Sequence, residues 1–138
     1  MLVRCYRDLL VWQKAVDLVT GCYALTKLLP RSETYGLASQ MQRASVSIPA
    51  NIAEGHGREH LGDYLHHLSI ANGSLMELET HIIVAQRLNY LGADDVEHIL
   101  SLSGELSRML NGLTKKLSAK RIRMTLFRAM SVCMDRYF

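Results

Sequence analysis

Apolar residues recur every three or four positions along most of the chain, the period of a helix lying against a core. Trp12, Val16, Val19 and Tyr23 are spaced 4, 3 and 4, with Leu9, Ala15, Cys22 and Leu25 beside them. This predicts a helix over about 8–29. Asp8 is placed as its N-cap, and Pro30 stops it, because the residue before a proline is pushed out of the helical region. A short connector comes next, in which Ser32 can cap the second helix. Leu37, Met41, Ala44, Ile48 and Ile52 then carry the stripe over about 33–55. Pro49 falls inside it. The proline lacks an N–H and its ring crowds the carbonyl of Ser45, four residues back. The stripe continues unbroken on both sides, so the expectation is a helix bent near Pro49 rather than two helices. Gly55 and Gly57 are placed to end it.

Leu61, Leu65, Leu68, Leu75 and Ile82 form a third seam over about 60–90, with Tyr64, Ala71, Leu78 and Ala85 adjacent and Gly92 closing it. Asp94 is the expected cap of a fourth helix over about 94–117, where Val96, Ile99, Leu106, Leu110, Leu113 and Leu117 follow a seven-residue repeat. That repeat argues for nearly parallel axes. Four long helices with short connectors pack antiparallel to their neighbours, so the predicted fold is all-α, an up-down antiparallel four-helix bundle over residues 1–117. Residues 118–138 are a C-terminal extension. There Ile122, Leu126, Ala129, Cys133 and Tyr137 recur at helical spacing, with Arg121, Arg123 and Arg128 mostly off that line. The extension either lengthens helix four or forms a fifth helix. Leu10, Leu18, Ile70, Ile83, Leu102 and Met109 fall off the predicted seams, more apolar surface than a lone bundle uses, and this predicts a homo-oligomer.

Composition sharpens this picture. The chain has 138 residues, 49% of them apolar, enough for one packed core and too apolar for a disordered chain. No apolar run approaches the roughly 20 residues of a membrane span. Cys5, Cys22 and Cys133 are odd in number and widely spaced, which argues against a disulfide framework, and no charged-then-apolar leader opens the sequence. The expected setting is the cytoplasm. The net charge of +3 conceals a division. Residues 1–107 carry eight Lys and Arg against twelve acids, a net −4, whereas residues 108–138 carry eight against one, a net +7. A basic end on an acidic body is the pattern of a segment that meets nucleic acid or another acidic partner.

Four segments are more specific than periodicity: Asp8-Leu9-Leu10-Val11-Trp12-Gln13-Lys14-Ala15, Glu33-Thr34-Tyr35-Gly36-Leu37, Ser47-Ile48-Pro49-Ala50-Asn51-Ile52-Ala53-Glu54-Gly55, and the run from Ile70 to Thr80 that contains Asn72, Glu77 and Glu79. In their order and spacing over about residues 6–117 they resemble the four-helix-bundle family of ribosomal RNA intervening-sequence proteins. Some members are encoded within large-subunit ribosomal RNA genes, and the accessory variability proteins of diversity-generating retroelements are related to them. The resemblance implies a bacterial cytosolic protein that assembles as a ring-shaped homopentamer and has no known catalytic activity. It also implies, in the retroelement branch, binding of a reverse transcriptase and nucleic acid through a strongly basic surface. This chain departs from that: its matching body sums to −4 through residue 107, and only its C-terminal end is basic. Arg43 and Arg58 match basic positions of the family pattern. His60 stands where that pattern has Ser or Thr, so a capping box becomes His60-x-x-Asp63.

Candidate chemistry is sparse. Asn51 and Glu54 share a helix face, and Glu77 and Glu79 lie among leucines. Inward carboxylates suit a di-metal site, but that pattern needs Glu-x-x-His on two helices, and residues 80 and 82 are Thr and Ile. Asn51 and Glu54 are better read as capping backbone freed by Pro49 or pairing with Arg43 or Arg58. His60, Asp63 and His67 share a face that a transition metal or small ligand could use, without the spacing of a defined zinc motif. This gives an alternative reading, a metal- or ligand-binding bundle using Asn51/Glu54 or His60/His67. No nucleophile elbow or phosphate loop occurs, so no enzyme activity, catalytic residue, metal or cofactor is expected. The leading candidate site is Lys115, Lys116, Lys120, Arg121 and Arg123, five cations within nine residues. They suit RNA, DNA or a nucleic-acid enzyme as partner, and nothing in the chain points to a membrane.

Overall fold

The computed structural model describes residues 3–134, with side chains through Met130. Tyr137, and the side chain of Cys133, lie outside the described residues. Four helices succeed one another: α1 (Leu10–Thr26), α2 (Leu37–His56), α3 (Leu61–Arg87) and α4 (Ala93–Met134), with short 3-10 turns at Tyr6–Asp8 and Arg31–Glu33. Each helix packs on its neighbours in sequence, and α1 closes the ring on α4, with α2 and α3 in the most extensive contact. This is the up-down four-helix bundle that short connectors dictate.

The core is the sum of one stripe from each helix. On α2 it is Met41, Ala44, Ile48 and Ile52; on α3 Leu68, Ala71, Leu75, Leu78, Ile82 and Ala85; on α4 Val96, Ile99, Leu106 and Leu110. Each large side chain in these rows contributes about 1.5–3 kcal/mol by leaving water, several times a typical cap. The buried row therefore decides how each helix is rotated. On α1 that row is Val11, Ala15, Leu18, Cys22 and Leu25, one position away from the predicted Trp12–Val16–Val19–Tyr23 line. Tyr23 is 42% exposed, while Leu18, expected off the seam, is fully buried. The two rows have equal periodicity. The small Ala15 and Cys22 let α1 approach the bundle closely, and the larger Trp12 and Tyr23 fit its flank.

Helix ends depart from expectation in a consistent way: the acids cap from outside the first turn or across it. Asp8 lies in the turn before α1, and its Oδ2 accepts the amides of Arg4 (2.8 Å) and Cys5 (3.1 Å) rather than capping the helix. Those two N–H donors hold its carboxyl below the usual carboxylate range. Glu33, not Ser32, serves α2: its Oε2 accepts the Leu37 amide at 2.9 Å. At α4 it is Asp95, not Asp94, that accepts the Gly92 amide at 2.7 Å. Helix α3 ends three residues before the expected boundary in a Schellman turn. Asn89 adopts φ 60°, its amide bonds the Gln86 carbonyl, and the Tyr90 amide bonds the Ala85 carbonyl at 2.9 Å. Tyr90 then reaches Glu33 Oε1 at 3.2 Å, tying together the two connectors at that end of the bundle.

Helix α2 runs through Pro49 without a break. Gly55 and Gly57 do not stop it by a left-handed turn, since no glycine has positive φ. Gly55 is instead a point of close approach. A Cβ there would lie 2.8 Å from both the Cβ of His67 and the Cδ2 of Tyr64 on α3.

Candidate nucleic-acid interface

Helix α4 has 42 residues and α3 has 27. At 1.5 Å per residue the excess is about 22 Å, which projects beyond the bundle as a continuation of α4. As far as Met134 the extension therefore lengthens α4 and is not a fifth helix. From Ala119 to Met130 every residue is exposed, including Ile122, Leu126, Phe127 and Met130 at 60–75%. This arm leaves the bundle at the end where the α2–α3 connector turns.

The five predicted cations do not form one patch. All are exposed on α4, but Lys120 and Arg121 face the α2–α3 connector, whereas Lys115 and Lys116 do not line that surface. Arg123 borders a shallow apolar hollow with Met124 and Phe127. Arg128, two turns beyond Arg121, and Arg58, from the connector, complete the surface that Lys120 and Arg121 begin. The result is a groove of about 530 Å³ with Leu61, Tyr64 and Met124 among its apolar lining. Gly62 allows the close fit: the Arg121 guanidinium carbon lies 3.4 Å from where a Cβ would stand. The sevenfold spacing of Arg121 and Arg128 was a signal in the chain, but the meeting with Arg58 depends on the bundle. His60 precedes α3 as its N-cap residue and makes no side-chain cap bond, so the altered capping box does not form.

The polar residues of α2 and α3 form a separate network. Asn51 does not serve the Ser45 carbonyl deprived by Pro49. Its Nδ2 donates to the Ser47 carbonyl (2.8 Å) and Oγ (3.1 Å), and Ser47 Oγ meets Ser74 Oγ at 2.9 Å. Asn51 Oδ1 pairs with His67 Nδ1 at 3.0 Å, and the other nitrogen of His67 stands 3.8 Å from Glu54. Glu54 is itself bound by Arg58, the pairing expected from sequence. Glu77 and Glu79 diverge. Glu77 is exposed, within 3.4 Å of His81, and borders a small cleft with Arg43. Glu79 accepts a bond from the fully buried Ser103 of α4. They do not form an inward acidic pair. Among the described residues no three His, Cys, Asp or Glu side chains are grouped to hold a metal ion, and no helix is long and apolar enough to cross a membrane.

Fold and surface together define a four-helix bundle lengthened by a basic helical arm. The chain belongs to the 23S rRNA-intervening sequence protein family, whose sequence profile matches residues 7–112. Among solved structures it is similar to a protein of unknown function from the S23 ribosomal protein family of Bacteroides thetaiotaomicron. The two share 25% identity and a TM-score of 0.72, over 77% of this chain and 99% of that one. Among curated proteins no match is found. Both the family match and most of the structural overlap concern the bundle, and Lys115, Lys116, Lys120, Arg121 and Arg123 lie past residue 112.

Proposed function

We propose that this protein is a non-enzymatic, cytoplasmic, homo-oligomeric scaffold that holds nucleic acid, bare or within a nucleoprotein partner, through its basic C-terminal arm. The observation that carries this reading is the separation of charge: a net −4 through residue 107, and eight Lys and Arg against one acid thereafter, with the described cations of that segment exposed along α4. Cations on such an arm displace counterions from phosphates without first breaking interactions inside the fold. The family name ties these proteins to intervening sequences of 23S rRNA and specifies no binding partner. Self-association is supported by Leu10, Ile70 and Ile83, which are 60%, 39% and 43% exposed on the outer faces of three-turn or longer helices. The family resemblance favours five copies, in which case the arm field is repeated five times.

Changing Lys115, Lys116, Lys120 and Arg121 together to Ala is expected to weaken retention of labelled RNA or DNA and to reduce the slope of log affinity against log salt. Light scattering at micromolar protein checks assembly in the same samples. A parent protein that binds neither nucleic acid removes the binding role, and a monomer removes the scaffold.

A further inference from the structure

We infer that the groove between the arm and the α2–α3 connector is a site for single-stranded nucleic acid, a conclusion that rests on the nucleic-acid reading above and narrows it. The observation is convergence. Arg58 from the connector and Lys120, Arg121 and Arg128 from the arm border one concavity of about 530 Å³, to which Tyr64, Leu61 and Met124 contribute apolar surface. Glu59 is the acid of this lining, and Arg58 is shared with Glu54. Among the described residues Lys120, Arg121 and Arg128 therefore face the groove without a carboxylate partner of their own. Arg121 and Arg128 are seven residues apart, on one face and about 10 Å apart along the axis. That separation suits different phosphates of one strand rather than a single anion.

A concavity lined by several cations together with Tyr64, Leu61 and Met124 has the composition used to hold single strands, in which backbone charge is neutralised while an unpaired base lies on apolar surface. A duplex keeps its bases stacked inside and offers these side chains nothing. Lys116 and Arg123 also lie seven residues apart, but about 140° around the helix from the Arg121 row, and neither borders the groove. They carry the same charge as the groove pair and make a matched control.

The test measures anisotropy of a labelled oligouridylate and of a duplex of equal length, using the full chain. The variant Arg121→Gln/Arg128→Gln is expected to weaken oligouridylate binding at least tenfold, whereas Lys116→Gln/Arg123→Gln, which lowers the general charge of the arm, weakens oligouridylate and duplex alike by about threefold. Gly62→Glu sets a carboxylate beside the Arg121 guanidinium in the first turn of α3, where an acid favours the helix. It is expected to weaken the single strand while leaving the circular dichroism unchanged. Equal losses for the two double variants, or a duplex bound as tightly as the single strand, would overturn the groove and leave arm binding standing. A parent chain that binds neither probe overturns both.

Discussion

At the scale of single residues, glycines show how position governs the effect of one atom. Gly55 is buried where α2 meets α3, and an added Cβ would come within 2.8 Å of two α3 side-chain atoms. Gly73 and Gly112 lie inside helices with nothing within 4 Å of such a Cβ. Gly55→Ala is expected to destabilise by about 1–3 kcal/mol through overpacking. Gly73→Ala and Gly112→Ala should each stabilise by about 0.5–1 kcal/mol through helix propensity. Urea unfolding monitored by circular dichroism separates the two outcomes. A neutral Gly55→Ala would show that α2 and α3 can part without loss. From the chain Gly55 reads as a helix stop and Gly73 and Gly112 as helix interior, and neither reading signals a close contact. Only the crossing of two helices does.

At the scale of elements, helix identities were readable and helix ends less so. Existence derives from a stripe repeated over five or six turns, a signal that survives a misplaced residue. An end depends on one side chain reaching one amide, and the chain offers several nearby acids: Asp94 and Asp95 are adjacent, and Glu33 comes directly after Ser32. Local geometry selects among them. The αL residue Asn89 is the clearest case, for Gly92 was the more obvious stop. Asn tolerates φ 60° better than other side chains, and it sits where the Schellman bonds of Ala85 and Gln86 close. Asn89→Ala is expected to cost about 1 kcal/mol and Asn89→Gly to cost nothing. Differential thermal melting checks the pair, and equal stability of the two would mean that the turn is not what sets the boundary. The rotation of α1 escaped the sequence for a related reason. Two rows offset by one residue were equally periodic, and the partner helices favoured the row with Ala15 and Cys22.

At the scale of the whole molecule, bundle and arm are separable in burial. Among the described side chains the last that is fully or nearly fully buried is Leu110, with Leu113 and Leu117 packed partly on the core, and every residue from Ala119 to Met130 is exposed. A chain ending at Ser118 is expected to keep its helical bundle, with a thermal midpoint lowered by a few degrees at most, the equivalent of about 1 kcal/mol. It should lose nucleic-acid retention. Calorimetry and the same anisotropy assay test both halves, and a large loss of stability would assign the arm a role in holding the fold. The repeating apolar spacing of this chain sufficed to determine four helices, their order and their antiparallel packing, since burial of one stripe per helix outweighs every local alternative. It also marked the basic end. Which acid closes each helix end was decided by backbone geometry over three or four residues, whereas the face of α1 that turns inward and the meeting of Arg58 with Arg121 and Arg128 were settled by packing, because both depend on residues far apart in sequence that become neighbours only when the bundle closes.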